Sequence, residues 1–514
     1  MPDLVIDGST LTIEQMAAVA HQGRPVVLGA TVEPRLRAAR AVVERYLQSG
    51  EPAYGLNTGL GGNLGHRLAA ADVAAFQVQL LRGRAVGVGP PLRAEVVRAG
   101  LLARANGMAR GASGVSPAVL GMLVALLNRG VTPVVPSRGS IGTADLVPMA
   151  HVGLVLVGIG EADLEGARLP GGEALRRAGL HPLVLGAKDA LGLINANGLT
   201  VGHAALVVRD ARRLLLAASA AAALACEGYR ANLGTFDART AALRPVPHQE
   251  AAAALYRVLL AGSDLEAPGS ARSLQDALSF RCLPQVTAAA LDALAHALAV
   301  TETELNAAGD NPAVLAEANL ILSTGNFHLA SLALAFDGLA IALAQFAHAS
   351  LARLTKLLSA THSGLPAYLS PVGGASAGLV PLSKTAGALL AEIRLKAAPV
   401  GLDALAISDF VEDHAPHAPL AVRKVEEQLW QLARLVAIEA LIAAQATDLR
   451  RPGRLGAGTG LMHVFVRETV PFLEADRELG AEAEALAGRV AGAEVEQRLG
   501  TLDLGSLGPA ASSP

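Results

Sequence analysis

The chain has 514 residues, 52% of them hydrophobic, enough to bury an extensive core, which excludes a disordered protein. Its 42 basic and 45 acidic residues are well mixed and leave a formal net charge of -3, so there is no electrostatic footprint for nucleic acid or for an anionic membrane surface. A small-molecule or protein partner is expected. Two cysteines, Cys226 and Cys282, imply neither a disulfide framework nor a metal site, and the N-terminus carries no secretory or lipidation pattern; a cytoplasmic location is expected.

In chain order, residues 1–200 are punctuated by Gly and Pro: YGLNTGLGGNLG from Tyr54, VGVGPPL from Val86 and TPVVPSRGSIG from Thr132. Such punctuation marks turns and irregular loops suited to a site. The β-branched alternation of strands is scarce beyond this first part. Residues 201–450 read as a bundle of long helices with apolar residues at helical spacing. The apolar run Leu214 to Cys226 falls short of the about 20 residues that a bilayer span needs and reads as a buried helix. Leu291 to Leu305, Ala330 to Leu358 and Val425 to Leu449 read as core helices. In 451–505 a Pro/Gly-rich link (RPGRLGAGTGL) leads to a polar helical stretch near Arg477 to Leu499, and the tail 506–514 is expected to be disordered. The class is therefore mainly α, an elongated bundle of long helices with a Gly/Pro-rich N-terminal domain carrying the site loops.

Two simple motifs lead nowhere strong. GLGGNLG (Gly59 to Gly65) lacks dinucleotide-fingerprint spacing and no convincing strand precedes it. EDHAPH (Glu412 to His417) gathers acids and histidines, but Pro416 interrupts any helix that would align His414 with His417, so a polar pocket lining is preferred to a metal site.

More telling is an ordered set of segments: YGLNTGLG (Tyr54 to Gly61), RANGMARGASGV (Arg104 to Val115), GSIGTADLVPMAH (Gly139 to His151), KDALGLINANG (Lys188 to Gly198), QDALSFRCLPQV (Gln275 to Val286), ELNAAGDNP (Glu304 to Pro312), STGNFH (Ser323 to His328) and EDH (Glu412 to His414). Together they span nearly the whole chain, which resembles the aromatic amino acid ammonia-lyases, especially the histidine-type members. The resemblance implies a homotetramer of helical subunits whose active sites draw on more than one chain. It places Tyr54 as the loop base, Arg281 on the substrate carboxylate, Asn195 at the amino-acid end, Gln275 as a polar partner, Phe327 as an apolar wall and Glu412 as the acid facing an imidazole. A free tyrosine titrates near pH 10, so a base role for Tyr54 calls for cationic neighbours or helix N-termini. Arginine suits a carboxylate through its planar, two-pronged donor set.

The resemblance breaks at the family's prosthetic group. Members cyclise an Ala-Ser-Gly tripeptide within GSVGASGDL into a methylidene-imidazolone electrophile. Here GSIGTADL leaves only Thr143 and Ala144 between Gly142 and Asp145, one residue short and without the serine. The usual ring cannot form. A rescue cyclisation of Gly142, Thr143 and Ala144 would crowd both the attacking nitrogen and the electrophilic carbon with methyl groups. Leu278 also replaces a second family tyrosine, so both losses fall on the handling of nitrogen. Conversely, Arg84 stands where histidine-type members carry a histidine, and Lys384 lies four residues after the ring-contacting Val380, on the same helical face.

These departures lead to an expected activity. A quaternary ammonium has no lone pair to engage an electrophile and already leaves well, so elimination of trimethylamine from a histidine-like betaine such as ergothioneine, giving thiourocanate, needs no prosthetic group. Arg84 and Lys384 suit a ring bearing a thiolate. The alternatives are an ordinary histidine ammonia-lyase and an inactive scaffold that retains the fold. No cofactor and no metal are expected.

Overall fold

The computed structural model describes residues 2–59, 73–402 and 407–504; the tail 506–514 lies outside them. The chain forms two compact units, each discontinuous in sequence. One comprises Met1–Val207, Leu298–Phe336 and Pro399–Val422; the other comprises Val208–Ala297, Asp337–Ala398 and Arg423–Pro514. The domain limits expected at 200, 450 and 505 follow composition along the chain, whereas these units follow contact in space.

The first unit combines helices with small sheets. Leu4–Ile6 pairs in parallel with Val26–Leu28, and Thr132–Pro133, Glu161–Leu164 and Ala167–Pro170 form a three-stranded antiparallel sheet. Between the first two strands, Thr12 caps the helix Ile13–Gln22 in a reciprocal box with Gln15. The helix Ala94–Ala109 is buried continuously from Ala99 to Ala109. It packs tightly enough on the following long helix that a Cβ at Gly202 would lie 2.5 Å from the Ala99 carbonyl carbon. Arg104 lies inside this packing, 2% exposed, and is paired with Asp310 at 2.5 Å. One hairpin, Ala313–Leu315 with Leu320–Leu322, was not expected so late in the chain. Its turn is closed by Asn319 at φ 53, a conformation asparagine tolerates better than most residues.

The second unit is helical. Its main elements are its share of Gly198–Tyr229, Leu283–Leu305, Ala330–Leu358 and Ala418–Arg450, with the shorter helices Gln249–Leu260, Val380–Leu395, Ala457–Arg467, Gly480–Ala491 and Glu494–Leu499. Alanine-rich surfaces allow close approach: a Cβ at Gly228 would lie 2.8 Å from the Ala446 Cβ. Glu227 is 3% exposed and accepts from Ser263, Thr459 and the Gly456 amide, so its buried carboxylate is fully engaged.

Two sequence expectations need correction. The buried run Leu214 to Cys226 belongs to a helix of 32 residues, because Arg209, Asp210, Arg212 and Arg213 interrupt the apolar run without interrupting the helix. The continuous stretch Asp189–Tyr229, Leu283–Leu305 and Ala330–Leu358 are each long and apolar enough to cross a membrane by length and composition; the apolar part of the first is wholly buried within the protein. The second correction concerns the Gly-rich link after Arg451, part of which is helix Ala457–Arg467. Gly458 lies inside it, where a Cβ would meet Leu259 Cδ2 at 2.4 Å, so the glycine serves helix contact rather than a turn.

Candidate active site

Tyr54 opens a tight turn in the first unit. The Ala53 amide donates to the Asn57 side chain at 2.9 Å and the Gly55 amide donates to Thr58 Oγ1 at 3.1 Å, holding a half-buried Tyr54 at the turn's corner. The rest of its motif, Leu60 and Gly61, lies outside the described residues.

Arg84 is the last residue of the helix Val73–Arg84, where a cation complements the helix dipole. It is half-buried rather than a solvated surface side chain. Burial pulls its guanidinium below the ordinary arginine value, and the charges of Tyr54 and Glu412 push it back up. Arg84 thus lies within electrostatic reach of both Tyr54 and Glu412. Glu412 sits in a short bridge with Ile407 and accepts from Ser408 Oγ. The intervening turn holds Ser408, Asp409 and Phe410 at positive φ, a costly backbone for non-glycine residues.

The loop carrying Gly142 to Asp145 is fixed from several sides. The Leu329 amide donates to the Gly142 carbonyl at 3.3 Å, the His417 amide to the Ile141 carbonyl at 2.9 Å, and Thr143 forms a β-bridge with His328. Asp145 is fully buried and accepts from Ser140, Thr200 Oγ1 and the Thr200 amide at 2.7–2.8 Å. Burial raises its carboxyl above the usual range against the pull of those bonds. Gly142 at φ 85 and Ala144 at φ 74 turn the chain left-handed on either side of Thr143. Glycine takes this at no cost, but Ala144 does not.

Asn195 follows the short helix Asp189–Ile194, is 7% exposed and donates to the Asn311 carbonyl at 2.5 Å. Asn197 donates to the carbonyl of half-buried Phe327 at 2.6 Å. Next to Phe327, His328 Nε2 lies 3.0 Å from His414 Nδ1, with the rings stacked at 5.1 Å. Burial, and then the His414 charge, hold His328 below the ordinary histidine range. This pairing joins segments 86 residues apart, so spacing within the EDHAPH motif, which sets His414 beside His417, does not reveal it. Among the described residues no three ligating side chains form a metal cluster.

The other candidates belong to the second unit. Gln275 is exposed, and its backbone is folded by Ser273. Arg281 ends the one-turn helix Leu278–Arg281 and is exposed, as is Leu278. Val380 opens the helix Val380–Leu395 and Lys384 follows one turn later, exposed, with the helix start braced by Asp476 accepting from Ser376 and from the Ala377 and Gly378 amides.

A sequence profile described as aromatic amino acid lyase matches residues 11–468. The chain belongs to the aromatic amino acid lyase family. It is accordingly an enzyme, a carbon-nitrogen lyase. It is 41% identical to a histidine ammonia-lyase of Anaeromyxobacter sp. (strain K), over 95% of this chain and 99% of that protein. It is 42% identical to the histidine ammonia-lyase of Symbiobacterium thermophilum, over 93% and 95%. Among solved structures it is similar to the ergothioneine-degrading enzyme ergothionase from Treponema denticola in complex with desmethyl-ergothioneine sulfonic acid. That match has a TM-score of 0.93 and 31% identity and covers 96% of this chain and 99% of that one.

The family builds its electrophile from its own backbone, and the residues present here do not fit that group. The loop's serine, Ser140, is committed to Asp145. Thr143 stands where a serine would have to dehydrate, and Ala144 puts a side chain beside the nitrogen that would attack.

Proposed function

We propose that this lyase eliminates trimethylamine from a histidine-like betaine such as ergothioneine, without a prosthetic group. The observation that carries the reading is the loop at Gly142 to Asp145, shortened, serine-free at the ring position and held by hydrogen bonds from three other segments. An enzyme that must activate a primary amine needs the electrophile. A trimethylammonium group is already a good leaving group.

In this reading Tyr54, as phenolate, takes the proton beside the imidazole ring. The C–H electron pair becomes the new C=C bond, the C–N pair leaves with nitrogen as neutral trimethylamine, and the proton rests on the tyrosine oxygen. Asn195, Arg281 and Gln275 bind the carboxylate end, Phe327 and Val380 wall the ring, and Glu412 holds a ring N–H. Arg84 and Lys384 face the sulfur of a 2-thioimidazole. The support for Arg84 is its half-buried position beside Tyr54 and Glu412. The likeness to ergothionase is consistent with this substrate class. We further propose a homotetramer in which each site takes Tyr54 and Arg281 from different chains.

A second reading, deamination of histidine to urocanate and ammonia, is favoured by the identity of 41–42% to histidine ammonia-lyases over more than nine-tenths of the chain. Assay of the purified protein with ergothioneine, with its sulfur-free counterpart hercynine and with histidine separates the two. Turnover of ergothioneine, slower turnover of hercynine and none of histidine is the expected pattern. Ammonia release from histidine alone would establish the second reading.

A further inference from the structure

We infer that the buried Arg353–Glu439 pair of the second unit is a positioning device for Arg281; this rests on the proposal above that Arg281 holds the substrate carboxylate. Arg281 is exposed at the end of a single helical turn, so its backbone must be fixed from outside for its guanidinium to meet a ligand in a reproducible place. The segment leading to it is held at nearly every step. Asp276 accepts from the Asn232 amide at 2.6 Å, and the Leu274 carbonyl accepts from the Asn232 side chain at 2.9 Å. The Ser279 carbonyl accepts from Arg353 Nη1 at 3.3 Å. Phe280 stacks on Tyr229 with ring centres 4.1 Å apart and planes inclined by 12°. The Arg281 carbonyl accepts from Thr235 Oγ1 at 2.5 Å.

Arg353 is the anchor that reaches deepest. Both it and Glu439 are fully buried. Arg353 Nε and Nη2 bond the two Glu439 oxygens at 2.6 and 3.1 Å, and Ser350 donates to the same carboxylate at 2.5 Å. A buried ion pair gains little over a well-packed apolar pair as a source of stability. A two-pronged bond does fix the plane of the guanidinium, and that plane aims the remaining nitrogen at the Ser279 carbonyl. Lysine could keep the charge opposite Glu439 but not the fork.

The test is a double-mutant cycle on the full-length enzyme, reading KM and kcat for ergothioneine and for histidine. Arg353→Lys should raise KM by about tenfold with kcat little changed. Thr235→Val, which leaves the buried pair untouched, should shift KM in the same direction while folding normally. In an Arg281→Met background neither change should raise KM further. A substitution that merely destabilised the fold would lower the active fraction, and hence apparent kcat, without this split. Unchanged KM in folded Arg353→Lys, unchanged KM in Thr235→Val should Arg353→Lys fail to fold, or an undiminished KM effect in the Arg281→Met background, would overturn the inference. An Arg281→Met enzyme with unaltered KM, or turnover of neither compound, would instead overturn the reading beneath it, and the inference with it.

Discussion

Thr143 and Ala144 occupy the place where the family's ring is made, and the mass of the protein reports on them directly. Cyclisation and dehydration each release a water, so the intact mass should equal that of the unmodified chain, and a deficit of about 36 Da would show a ring. Under the proposed substrate assignment, Arg84→Met and Lys384→Met should each lower kcat/KM for ergothioneine by roughly ten- to a hundredfold, the worth of a charge-assisted contact. Hercynine, lacking the sulfur, should be affected much less, and equal losses would assign these residues to structure or to the carboxylate end. His328 carries a pH signature. Because burial and His414 disfavour its protonated form, the unfolded chain takes up this proton first as pH falls. The contribution of neutral His328 to stability should therefore be intact above about pH 6.5 and decline below it. Denaturation midpoints measured on either side of that pH should show a smaller decline in His328→Gln. The sequence disclosed the candidate residues through their segments, since Tyr54, Asn195 and Glu412 each sit in a distinctive short motif. It could not disclose the His328–His414 pair, whose partners lie in separate motifs and meet only through the fold.

At the scale of elements, helix periodicity made Ala330 to Leu358 readable to the residue, and the structure gives the same limits. Glycine is ambiguous in the sequence where it serves packing. Gly458 looked like part of a link because a sequence does not reveal that Leu259 lies 2.4 Å from where its Cβ would be. This difference between turn glycines and contact glycines can be measured. Gly202→Ala would drive a methyl into the Ala99 backbone, which cannot swing aside, and should destabilise by about 1–3 kcal/mol. Gly121→Ala, in the helix Pro117–Arg129 with open space around it, should stabilise by about 0.5–1 kcal/mol. Paired thermal or denaturant melts check both, and a neutral Gly202→Ala would contradict the close helix contact.

At the scale of the molecule, Tyr54, Arg84, Asn195, Phe327 and Glu412 fall in one compact unit, while Gln275, Arg281, Val380 and Lys384 fall in the other. The division is invisible in composition because each unit gathers three separate stretches of chain. If sites are shared between copies, Tyr54→Phe and Arg281→Met proteins, each defective alone, should regain activity when mixed under conditions that exchange subunits. Absence of any rescue despite demonstrated exchange would count against shared sites. The proposed activity is the removal of an amine already primed to leave, with no need of the family's electrophile. The most direct test is to supply ergothioneine to protein of verified intact mass and identify the nitrogen product. Trimethylamine and thiourocanate, formed by chain that has lost no water, are the predicted result. Ammonia from histidine, made by protein lighter by two waters and inert toward ergothioneine, would contradict it.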